Sequence, residues 1–160
     1  ISTTEPAANG CTKNGDTTRI YIGCFPTLST GAPVPLRKVG NRVVYNFAGS
    51  AVADTRVLNA GNATSNTAVD LAGLVPSHTQ LATVRAEAVS TTGSANNYAF
   101  LRTEGESGAD EIAIPVPSIN AASTTQVLDI ITDADQDVAY RVSNFTSSPT
   151  LTLSVHGFYE

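Results

Sequence analysis

Apolar and polar residues alternate singly along much of this chain. Val43, Tyr45 and Phe47 fall on one side of such a run, and Val84, Ala86 and Ala88 alternate with Thr83, Arg85 and Glu87. Val138, Tyr140 and Val142 repeat the pattern, as do Leu151, Leu153 and Val155 with Thr152, Ser154 and His156 opposite. Successive side chains of a strand point to opposite faces, so a period of two marks strands with one buried and one solvated face. Turn chemistry punctuates the runs. Gly40-Asn41 separates 34–39 from 42–48 as a two-residue hairpin signal, residues 26–35 hold three prolines, and 91–96 and 104–110 are polar, Gly-containing loops. Further strands fall at 19–25, 54–59, 67–71, 81–90, 97–103, 111–116, 126–132, 138–143 and 150–159. No run has the period of a long helix. Many short strands with regular turns predict an all-β fold, an antiparallel β-sandwich of jelly-roll type. The sandwich is expected to be a single domain over 19–160, with 1–18 as a polar N-terminal arm or loop.

Composition narrows the function. The chain has 160 residues, enough to bury one core, and 41% of them are apolar. Ala and Val dominate that fraction, Met and Trp are absent, and Ser and Thr are abundant. The net charge is −5 with 14% charged residues, so the basic stripe of a nucleic-acid binder is missing. The one basic cluster, Arg37, Lys38 and Arg42, reads as a solvated hairpin. No apolar run approaches the roughly 18 residues of a membrane span.

Few residues suggest chemistry. Cys11 and Cys24 have neither C-x-x-C spacing nor a nearby His, which argues against zinc. They permit one short-loop disulfide, worth about 3 kcal/mol in the chain-entropy picture, a bridge to a neighbouring subunit, or two free thiols. His78 sits in a loop and His156 on the polar side of the last strand, with no G-x-S-x-G elbow to pair with either. No catalytic residue and no cofactor site is expected. Asp133, Asp135 and Asp137 alternate like the start of a calcium loop, but Val138 and Asn144 stand where an EF-hand needs Gly and Glu. A charged hairpin tip is the plainer reading. Glu104, Glu106, Asp110 and Glu111 form a second acidic loop, of which nothing fixes the spacing that glycoside cleavage requires. A carbohydrate-binding module would need exposed aromatics, for which Tyr98, Tyr140 and Tyr159 are the candidates. Phe158 and Tyr159 are candidate interface anchors and fit the core equally well.

One stretch resembles bacteriophage tail and tail-fibre proteins. It runs Ile22-Gly-Cys-Phe-Pro-Thr27, Ser29-Thr-Gly31, Val34-Pro-Leu-Arg-Lys-Val-Gly40 and Val43-Val-Tyr45. The turn Leu71-Ala-Gly-Leu-Val-Pro76 before the strand at 81–89 is similar to the same proteins. The resemblance covers residues 19–103. It implies a structural β-sandwich module on the virion surface, self-associating and most often a trimer, that contacts other virion proteins and a host surface glycan or protein. Capsid decoration and a neck or collar role fit the same resemblance. It carries no catalytic residue to transfer and implies neither nucleic-acid binding nor membrane insertion.

Overall fold

The computed structural model describes residues 35–45, 55–77, 79–91, 97–106, 111–143 and 149–160. All ten elements within them are strands: β1 (Leu36–Val39), β2 (Arg42–Tyr45), β3 (Arg56–Gly61), β4 (Thr67–Asp70), β5 (Leu81–Val89), β6 (Asn97–Thr103), β7 (Ile112–Val116), β8 (Ser123–Ile131), β9 (Asp137–Val142) and β10 (Thr150–Tyr159). The larger sheet has the order β1-β2-β10-β5-β8, with β3 alongside the first half of β10. The smaller has the order β4-β9-β6-β7. Every pairing is antiparallel. From β4 to β10 the chain crosses between sheets at every connection except β6–β7. The orders β2-β10-β5-β8 and β4-β9-β6-β7 are those of a jelly roll, whose two Greek keys wrap one core. The expected all-β sandwich is the fold of the protein.

The alternation read from the sequence sets the core. Val84, Ala86 and Ala88 from β5 and Leu151, Leu153 and Val155 from β10 point inward from the larger sheet. Ala99 and Leu101 from β6, Ile114 from β7 and Val138 and Val142 from β9 meet them from the smaller. At about 25 cal/mol per Å² of apolar surface removed from water, this interior drives the association of the sheets. Hairpin β1–β2 turns on Gly40-Asn41 as its sequence suggests, with Gly40 at φ +63°. β1 itself is exposed throughout.

A register shift follows Val155 in β10. Val155 pairs with Val84, and Gly157 rather than His156 meets Thr83. The extra residue turns Phe158 inward, where it is fully buried in edge-to-face contact with Tyr45 at 6.1 Å. Of its two readings, core residue and interface anchor, Phe158 takes the first. Strict alternation would have placed it outside; a bulge reverses the phase of the strand beyond it. Gly157 permits the close approach, since a Cβ there would lie 2.1 Å from the Val43 carbonyl oxygen. Tyr140 is also interior, at 6% exposure. Its hydroxyl accepts from the Ala63 N–H at 3.4 Å, so it is removed from the candidate sugar platforms.

Candidate functional site

The outer face of the larger sheet gathers four polar side chains from four adjacent strands. Register puts Tyr159 of β10 opposite Arg42 of β2, and Thr83 of β5 opposite Asp129 of β8. Thr83 Oγ1 donates to Asp129 Oδ1 at 2.5 Å, and the Tyr159 hydroxyl donates to Asp129 Oδ2 at 2.9 Å. Arg42 Nη2 reaches across β10 to Thr83 Oγ1 at 3.5 Å, and its guanidinium lies 5.7 Å from the centre of the Tyr159 ring. Both oxygens of Asp129 are thus engaged. The bond to Asp129, then burial, then the charge of Asp129 raise the Tyr159 hydroxyl above its ordinary value, against the opposing pull of Arg42. The phenol stays protonated and donating.

Two depressions flank this network. One, of about 430 Å³, is lined by Thr79, Gln80, Leu81, Ile131 and Tyr159. The other, of about 420 Å³, is lined by Arg102, Thr103, Glu106, Ile112, Asp129, Ile130 and Ile131. Ile131, 59% exposed, stands between them. The surface offers a phenol, a carboxylate, a guanidinium and small apolar walls. Such a set can donate hydrogen bonds to a polar group and accept them from it.

Across the sandwich, the outer face of the smaller sheet carries an aromatic pair. Tyr98 and Phe100 of β6 lie 5.9 Å apart, and Tyr98 is 39% exposed. Arg141 of β9, opposite Phe100, covers that ring at 3.9 Å. Glu111 holds the guanidinium in a fork, accepting from Nε at 2.9 Å and from Nη2 at 2.5 Å. Hydrogen bonding from Arg141 holds the Glu111 carboxyl below its ordinary range, against the effect of burial. No protein-family model matches the chain, and no curated protein matches it significantly.

The remaining sequence-derived candidates do not converge. Asp133 Oδ1 accepts from the backbone N–H of Asp135 at 3.0 Å and of Asp137 at 2.7 Å, so its carboxylate closes the loop between β8 and β9. Gln136 takes φ +67° in that turn. Among the described residues no group of three or more carboxylates, imidazoles or thiols is arranged to hold a metal ion. Asp137 instead faces Asp70 across the β4–β9 pairing. Burial first, then the charges of Asp133, Asp70, Asp135 and Glu104, push its carboxyl up. His156, at the bulge, is lowered by burial and by Arg85. Cys11, Cys24, His78 and Asp110 lie outside the described residues, as does the arm at 1–18.

The basic cluster is not uniformly solvated. Lys38 donates to Glu160, and Arg42 joins the network on Tyr159. Arg42, Thr83 and Asp129 carried no functional signal in the sequence. The only hint was that Thr83 and Asp129 both fall on polar positions of apolar strands. Among the described residues, no helix is long and apolar enough to cross a membrane.

Proposed function

We propose that this chain is a structural protein of a virus particle, displayed on the particle surface, self-associating and serving host attachment. The observation that carries this reading is the strand order β2-β10-β5-β8 packed on β4-β9-β6-β7. Jelly rolls of this kind are a recurrent architecture of viral capsid and lectin domains, and the step from that architecture to a role is one of analogy. The resemblance of Leu71–Pro76 and the following strand to phage tail-fibre segments supports the same role. So does a surface with low charge, many hydroxyls and small side chains. The action is binding, without a catalytic step or a cofactor. Partners are further copies of the chain, other virion proteins and a host surface glycan or protein. Decoration of a capsid or a neck position would use the same surfaces. Immunogold electron microscopy with antibodies to the full chain is the direct test. Labelling on the outside of intact virus particles is expected, and labelling confined to cells, with particles bare, refutes the reading.

A second reading, a carbohydrate-binding module, is favoured by the exposed Tyr98 beside Phe100 and the braced Arg141. Aromatic faces stack on sugar rings, and a fixed guanidinium can donate to ring hydroxyls. On this reading a glycan array shows defined ligands for the wild-type chain and loses them with Tyr98→Ala. An array blank for both variants removes it.

A further inference from the structure

Among the described strands the two sheets end in five edges, and four of them carry features that discourage further pairing. β3 opens on Arg56 and meets β10 through two register shifts. β1 has four residues, two of them the cations Arg37 and Lys38. β4 has four and ends on Asp70. β7 contains Pro115, which has no N–H to give. Short length, charge and proline are the usual protections of an open edge.

β8 has none of these. It is nine residues long, pairs with β5 along its whole length without a register shift, and contains no proline and no cation. Its one charge, Asp129, is engaged by Thr83 and Tyr159. Flanking bonds fix which backbone groups face outward. Thr132 N donates to Gln80 O, and Ser90 N to Ala122 O, each at 3.0 Å. These are the hydrogen-bonded pairs of the antiparallel ladder, so the even-numbered residues turn their N–H and C=O toward β5. Those of Ser123, Thr125, Val127, Asp129 and Ile131 then point away from it. The Ile131 carbonyl accepts from Thr103 Oγ1 at 2.8 Å, which ties that end of the strand to β6. The side chains of the same residues lie on the outer face, with Val127 58% and Ile131 59% exposed.

We propose that β8 is a strand-addition interface for a second copy of this chain, pairing antiparallel with its own counterpart about Val127. The proposal rests on the reading of the chain as self-associating and specifies the contact. The register follows from the strand itself. Centred on Val127, it matches all nine residues. It sets Val127 against Val127 and Asp129 against Thr125, whereas centring on Asp129 would set carboxylate against carboxylate, which is unfavourable. The contact is isologous and closes as a two-fold dimer, and the two larger sheets continue as one across it. A three-fold assembly would need a different, heterologous contact.

Val127→Pro separates pairing from folding, because the N–H it removes points away from β5. Sedimentation equilibrium of the full chain at micromolar concentration is expected to give a dimer for wild type and a monomer for Val127→Pro. Both should keep the same circular dichroism spectrum. Should Val127→Pro fail to fold, Val127→Lys tests the same edge with a charge, and a monomer is again expected. In a background with Cys11→Ser and Cys24→Ser, Val127→Cys should oxidise to a disulfide-linked dimer. The paired Cα atoms would lie about 5.5 Å apart, within disulfide reach. Thr125→Cys should not cross-link, since its counterpart is four residues away, about 14 Å along the strand. A monomeric wild type refutes both self-association and this contact. A wild-type trimer, a folded edge variant that stays associated, or a Val127→Cys chain that stays associated without cross-linking leaves self-association standing and overturns the β8 pairing.

Discussion

Single residues fix where this fold tolerates change. Gly157 is the most constrained, because its missing Cβ would fall 2.1 Å from the Val43 carbonyl oxygen and 3.2 Å from the Val44 Cα. The obstacle is backbone in a paired strand, which cannot swing aside as a flexible side chain would. Gly157→Ala is therefore expected to destabilise the chain by about 1–3 kcal/mol, the usual range for overpacking, as read from the midpoint of urea unfolding. Asp137 is constrained by charge. Its carboxyl is held above the ordinary range by burial and then by Asp133, Asp70, Asp135 and Glu104. A raised carboxyl means that the folded chain binds this proton more tightly than the unfolded one. The favourable contribution is present at low pH and is lost as pH rises through the folded value. Asp137→Asn is expected to stabilise at pH 7 by about 0.2–1 kcal/mol, the scale of a like-charge cross-strand pair. The gain should vanish below roughly pH 4, where the aspartate is itself protonated. Thermal melts of the two proteins at both pH values check this, and an equal gain at both would refute it. Glu111 behaves oppositely: its carboxyl is lowered by Arg141, so its contribution is full above the ordinary carboxylate range and fades as pH falls.

At the scale of strands, how much the sequence reveals depends on burial. β5, β6, β9 and β10 were legible because one face is packed on the core, and alternation records that face residue by residue. β4 falls within the expected 67–71, whereas β3 lies two residues beyond the expected 54–59, since Ala, Gly and Asn at 59–63 carry little pattern. β3 also meets β10 through two register shifts. The first three residues of β8 were missed because Ser123, Thr124 and Thr125 look like the loop before them, yet they pair with β5 throughout. The bulge in β10 was invisible, because a phase reversal needs only one residue and Gly157 alone hinted at it. The candidate site was less legible than the fold. Tyr159 could be named as a surface aromatic, but its partner Arg42 comes from a strand far away in the chain. Only the β2–β10 pairing brings the two together. The same contrast gives a prediction. Leu153→Ala, at the middle of β10 and fully buried, should cost about 2–5 kcal/mol. Val39→Ala in the exposed β1 should change stability by no more than about 0.5 kcal/mol. Equilibrium denaturation of the pair decides it, and comparable losses would contradict the packing described.

On the scale of the whole molecule, the larger sheet is organised around β10, which separates β2 and β3 from β5. Its outer face bears the Arg42–Asp129 network, and its far edge is β8. The Arg42–Asp129 network and the β8 edge therefore belong to one continuous layer, while the aromatic pair on β6 looks the other way. If copies join through β8, Asp129 and Tyr159 of each copy lie close to the join. The central place of β10 also bears on how the chain is made. A ribosome adds about 5–20 residues per second, so several seconds separate the completion of β5 from the appearance of β10. Throughout that interval β2, β3 and β5 exist without the neighbour that lies between them, and the Val- and Ala-rich inner face of β5 has no finished sheet beside it. Long-range strand pairing is slow even after the segments are present. Until residues 150–159 have been synthesised, the β1–β2 hairpin and β3 lack the one strand that joins them to β5 and β8.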